Sequence, residues 1–115
     1  MAQRAPIAEG AFGQHNPNNC AKIVTEFKRQ GEPASHAIRF GKIAWRESGC
    51  QMVCVHDSDD WGCSIVGNNA GAHGQYASTW IQWCGIDIRK WHTMRQDVTC
   101  AIAAHNRMNW RPWGR

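Results

Sequence analysis

The chain has 115 residues, 43% of them hydrophobic and 19% charged, with a formal net charge of +4. That length accommodates one domain with a real core. It holds no apolar run near the roughly 20 residues needed to cross a membrane, so no membrane insertion is expected. The opening segment "MAQRAPIAEGAFGQHNPNN" lacks the apolar stretch of a secretory leader, which leaves a removed leader, release from a lysed cell or carriage in a virus particle as routes to an outside target.

Residues 1–18 read as an irregular arm, and residues 19–115 as the domain. A helix is expected from Asn19 to Gln30, with Ile23, Val24 and Phe27 as its apolar stripe and Gly31 as its stop. Ser35 is the expected N-cap of a second helix. At about 100° per residue, Ala37, Ile38, Phe40, Gly41, Ile43, Ala44 and Trp45 share one arc, with Arg39, Lys42 and Arg46 opposite. Glu47 falls inside the apolar arc, four residues after Ile43. A carboxylate there needs a partner or a purpose. An acid kept out of water tends to stay protonated, and such an acid can donate a proton to a leaving oxygen. The competing reading is a glutamate bonded to amides of the following loop.

Beyond Gly49, the apolar pairs Val53/Val55 and Ile65/Val66 alternate with the turn formers Asp57–Asp60, Gly62 and Gly67–Asn69, which suggests a small irregular β region. Ser78 or Thr79 is the expected cap of a third helix, and Asp87 that of a short piece carrying Ile88 and Trp91. A last helix runs from Arg95 or Gln96 to Met108, with Val98, Ala101, Ile102, His105 and Met108 on one face.

Six cysteines, Cys20, Cys50, Cys54, Cys63, Cys84 and Cys100, suggest a disulfide framework and an oxidising compartment. Pairs such as Cys54–Cys63 and Cys84–Cys100 fit the layout, although spacing does not select a connectivity. A rival account has Cys50, Cys54, His56 and Cys63 holding zinc. The seven tryptophans either fill a small core or offer flat faces to sugar rings.

Three blocks resemble a known family. "AWRESG" at Ala44–Gly49 resembles the glutamate signature of the lysozyme-like lytic transglycosylase superfamily. "GAHGQYASTW" at Gly71–Trp80 is similar to its second block, and "AIAAHNRMNWRPW" at Ala101–Trp113 to its third. "CAKIVTEFKRQG" is also similar to the first helix of animal-type lysozymes. In this alignment Gly74 stands where the family has a glutamine, with Gln75 one residue later. Ala77 replaces a proline and His105 a tyrosine.

The resemblance implies an α+β, mostly helical, lysozyme-like fold whose small β region forms one wall of a cleft. It implies a phage-type enzyme acting on bacterial peptidoglycan, at the β-1,4 bond after N-acetylmuramic acid, in the periplasm or outside the cell. Glu47 would be the catalytic acid. Asp60, then Asp59, would be the second carboxylate if the reaction is hydrolysis. Gln75, Tyr76, Trp80, His105 and Asn106 would bind substrate, and Ser48 and Thr79 would support the site. No cofactor, metal or nucleic acid enters that chemistry, and a monomer is expected. The rival functions are a catalytically idle glycan-binding module and a zinc-stabilised nucleic-acid binder using Arg107, Arg111 and Arg115 beside Trp110 and Trp113.

Overall fold

The structure is a computed structural model, and it describes residues 3–6, 17–56, 60–68, 70–71 and 76–114. It is a mostly helical α+β domain. In chain order the elements are β1 (Gln3–Pro6), α1 (Pro17–Arg29), α2 (Ala34–Ser48), β2 (Val53–His56), β3 (Asp60–Ser64), β4 (Ala70–Gly71), α3 (Ala77–Cys84), α4 (Met94–Met108) and a 3-10 turn at Arg111–Trp113. The strands form one antiparallel sheet in the order β1-β2-β3-β4. Among the described residues no helix is long and apolar enough to cross a membrane.

Helices α1 and α2 form an antiparallel pair that carries the core. Ile23 and Phe27 of α1 are buried against Phe40, Ala37 and Ala44 of α2, and the Phe27 and Phe40 rings stack at 4.1 Å. Gly41 is the point of closest approach, since a Cβ there would lie 2.6 Å from Val24 Cγ2. Ile38 and Trp45 depart from the expected arc, being 48% and 45% exposed. They flank an open groove of ≈ 450 Å³ beside α1, together with Cys20, Val24 and Lys42. The apolar arc is therefore wider than the buried face, and its Ile38 and Trp45 edge stays open beside Ala21 of α1.

Several expected boundaries move for local reasons. Gln3–Pro6, inside the expected irregular arm, pair with Val53–His56 as an edge strand. Helix α2 starts at Ala34 after Pro33, with no side-chain cap, so Ser35 is not its N-cap. Helix α3 likewise starts after Tyr76 without a side-chain cap, one residue before Ser78. The Asp87 segment forms a turn and not a helix. Asp87 Oδ1 accepts from the Arg89 amide at 3.1 Å, and the Ile88 carbonyl accepts from the Cys63 amide at 2.9 Å. Ile65 and Val66 are buried but follow β3; the strand itself, Asp60–Ser64, takes in Asp60 and Gly62, two of the expected turn formers. Helix α4 opens with a capping box between Thr93 and Gln96.

The six cysteines form Cys20–Cys50, Cys54–Cys63 and Cys84–Cys100. Cys54 and Cys63 face each other in the β2–β3 register. No thiol is free, which overturns zinc binding at Cys50, Cys54, His56 and Cys63. The three bonds suit an oxidising environment such as the periplasm or the outside of a cell.

Candidate active site

Glu47 lies in the last turn of α2, one residue before the helix stops. Gly49 takes the left-handed conformation at φ 67°, and its N–H and that of Cys50 close back onto the Trp45 and Ala44 carbonyls. Cys50 is also left-handed, at φ 60°, and is fastened by its disulfide to Cys20 in α1. Two consecutive left-handed residues turn the chain sharply away. The carboxylate is thereby left at a helix end and not within a continuing core helix.

The Glu47 side chain is 26% exposed. Its Oε2 accepts from Arg46 Nε at 3.1 Å, and Arg46 Nη2 donates to the Trp113 carbonyl at 2.9 Å. Its other face meets Gly67. A Cβ at Gly67 would stand 3.0 Å from Glu47 Oε1 and 3.2 Å from Cγ. Gly67 also has φ +88°, so the position suits glycine on two independent grounds.

The loop that presents Gly67 is held from three sides. The Ser48 hydroxyl lies 2.5 Å from the Ile65 carbonyl and accepts from the Gln51 amide at 3.2 Å. Trp113 Nε1 donates to the Val66 carbonyl at 2.8 Å. From α4, buried Asp97 accepts from the Ser64 hydroxyl and the Ile65 amide, each at 2.9 Å. Asn68 Nδ2 reaches the Asp97 backbone and side chain at 3.3 Å, and the Ser64 hydroxyl accepts from the Asn68 amide at 2.8 Å. His92 completes this buried network, with Nε2 2.6 Å from Asp97 Oδ1 and Nδ1 2.8 Å from the Lys90 carbonyl. Burial, the largest single influence on His92, opposes its charge. The hydrogen bond to the Asp97 carboxylate, its negative charge and the Lys90 carbonyl together outweigh burial and hold the His92 pKa above its ordinary value. With an acceptor on each ring nitrogen, the imidazolium is the form that uses both.

The remaining expected site residues are scattered. Asp59 and Gln75 lie outside the described residues, and Asp60 is placed by its backbone, which opens β3 opposite Gly71. Four residue steps of strand take the chain from Asp60 to Ser64, about 13 Å at the usual strand rise. Trp80 is a core residue against Trp83, whereas Tyr76 is 71% exposed and Asn106 is exposed. The Thr79 amide bonds to the Tyr76 carbonyl within the first turn of α3. His105 packs on His36, Phe40 and Trp110 near the start of α2. His36 precedes Glu47 by eleven residues on that helix, about 16 Å along its axis.

Asp97, Ser64 and His92 carry no expected role, and Gly67 and Asn68 are expected only as turn formers and not as site residues. Asp97 carried the same signal as Glu47, an acid on an apolar stripe, four residues before Ala101 and seven before Ala104. The arrangement as a whole is a part-exposed carboxylate at a helix end, facing a backbone loop that side chains on α4 and the C-terminal turn hold still. Such a carboxylate can reach a ligand from solvent and exchange a proton with it. Comparison with family models, curated proteins and solved structures gives no match for the chain.

Proposed function

We propose that the chain is a peptidoglycan-degrading glycosidase of lysozyme or lytic transglycosylase type, within a lysozyme-like fold, and that Glu47 is its general acid. The observation that carries this reading is the placement of Glu47 in the final turn of a core helix, part-exposed and pressed against Gly67 on an anchored loop. The "AWRESG" block supports it by resemblance.

In the reaction, Glu47 gives its proton to the glycosidic oxygen between N-acetylmuramic acid and N-acetylglucosamine. The bond from that oxygen to the muramic C1 breaks, and positive charge develops at C1 and the ring oxygen. Two completions balance. Water adds to C1 and gives a proton to a carboxylate, Asp60, Asp59 or Glu47 itself, leaving a reducing end. Alternatively the muramic 6-hydroxyl adds to C1 and returns its proton to Glu47, leaving an anhydro end. Glu47 serves both routes; an aspartate matters only to the first.

The test is wall solubilisation by the disulfide-bonded protein and by Glu47→Gln. A general acid contributes about 10²- to 10⁴-fold, so the variant should lose at least about 100-fold in rate while keeping its thermal midpoint. Wild type that binds walls but releases no fragments from several wall types would leave a glycan-binding module. Mass spectrometry of released fragments then separates hydrolysis from transglycosylation by the end group.

A further inference from the structure

We propose that Glu32, His36 and His105 form a binding site for a divalent transition metal of the zinc class, clamping the start of α2 to the end of α4. The proposal is independent of the glycosidase reading. One donor atom from each residue lies within 4.8 Å of the other two. Glu32 and His36 are one helical turn apart at the entry to α2, and His105 projects from the buried face of α4. Two imidazoles and a carboxylate are a borderline donor set that suits zinc, with a fourth position open to water.

The geometry is close to what such an ion needs. Zinc bonds of about 2.0–2.1 Å place tetrahedral donors about 3.4 Å apart. His36 Nδ1 and Glu32 Oε1 are already 3.4 Å apart, and with all three donors within 4.8 Å closure to the tetrahedral spacing requires side-chain adjustments of about 1.4 Å or less.

A second observation points the same way. His105 is 9% exposed, and its Nδ1 is buried without a hydrogen-bond partner. Buried polar nitrogens are nearly always satisfied, and one left over in a histidine beside another histidine and a glutamate is a ligand in waiting. Burial, then the neighbouring His36 and Arg39, hold the His105 pKa below its ordinary value against the opposing pull of Glu32. Neutral imidazole is the form that ligates a metal. Arg39, whose charge disfavours a cation nearby, is turned onto the Trp110 ring at 4.1 Å. Zinc would draw the two histidines together over the same indole, which packs on both of them.

Isothermal titration of the disulfide-bonded protein with zinc chloride at about pH 7.5 tests the site. One zinc per chain with a micromolar or tighter Kd is expected. His36→Gln and His105→Gln should each weaken binding at least about 10-fold, while His56→Gln, an exposed histidine on β2, should not. Cobalt in place of zinc should give the visible absorption of a tetrahedral ion in wild type and His56→Gln, and not in His36→Gln or His105→Gln. His36 is part-exposed and its variant should fold, so the test stands even where His105→Gln does not fold. No saturation by about 1 mM zinc, or equal affinity in His36→Gln, would overturn the proposal.

Discussion

At the scale of single residues, the site turns on a carboxylate and a glycine that are twenty positions apart in the chain. Gly67→Ala should act on Glu47 through space. A methyl at Gly67 meets Oε1 at 3.0 Å and also forces an L residue into φ +88°. The conformational strain alone costs about 1–2 kcal/mol, readable in urea unfolding. Displacement of the carboxylate should lower wall-clearing activity by about 10-fold or more, beyond what the stability loss explains. Full activity in a folded Gly67→Ala protein would show that Glu47 does not work in its observed position. Glu47 was legible in the sequence because helical periodicity alone placed it among Phe40, Ile43 and Ala44. Gly67 was not, because its role comes from a tertiary contact that no local pattern encodes. Asp97 was legible in principle by the same rule that found Glu47, since it stands four residues before Ala101 on the buried stripe of α4.

Elements are joined here by buried polar bonds as much as by apolar packing. The Ser64–Asn68 loop owes its shape to Asp97 at the first turns of α4, and Asp97 in turn leans on His92. His92 and Asp97 are almost wholly buried, so removing one partner leaves the other short of a bond in a dry environment. His92→Gln should therefore destabilise the fold by about 3 kcal/mol at low pH. His92 has a folded pKa above its unfolded value of about 6.5. Its stabilising contribution is thus fully present below about pH 6.5 and is lost as pH rises through the folded value. Urea unfolding of wild type and variant at about pH 6 and about pH 9 should show the gap narrowing toward the alkaline side. A gap that stays constant would mean that His92 is neutral in the fold. The helices were readable as elements because α1, α2 and α4 each carry a buried stripe at helical spacing. The sheet was only half readable: "DWGCS" has the composition of a turn and becomes β3 because Cys54 and Cys63 bind it to β2, while β1 exists by pairing with β2 and has no apolar alternation of its own.

For the whole molecule, the three disulfides divide the labour of holding a small core together. Cys54–Cys63 closes nine residues within one hairpin, Cys84–Cys100 closes sixteen between α3 and α4, and Cys20–Cys50 closes thirty across the α1–α2 pair. Loop-closure entropy scales with those lengths, and gives about 2.6, 3.1 and 3.6 kcal/mol respectively. Replacing each pair by alanines should therefore lower stability in that order, with Cys20→Ala/Cys50→Ala the most damaging. Function should follow a different logic. Cys50 lies in the left-handed turn that ends α2 just beyond Glu47, so its bond both stabilises the fold and fixes the helix end that carries the proposed acid, whereas Cys84–Cys100 acts on the α3–α4 pair. At a temperature where all three double variants remain folded, wall clearing by Cys20→Ala/Cys50→Ala should fall below that of Cys84→Ala/Cys100→Ala by more than their populations of folded protein account for. Equal activity per folded molecule would mean that Gly49 and the Ser48–Ile65 bond suffice to set the turn, and that the disulfide serves stability alone.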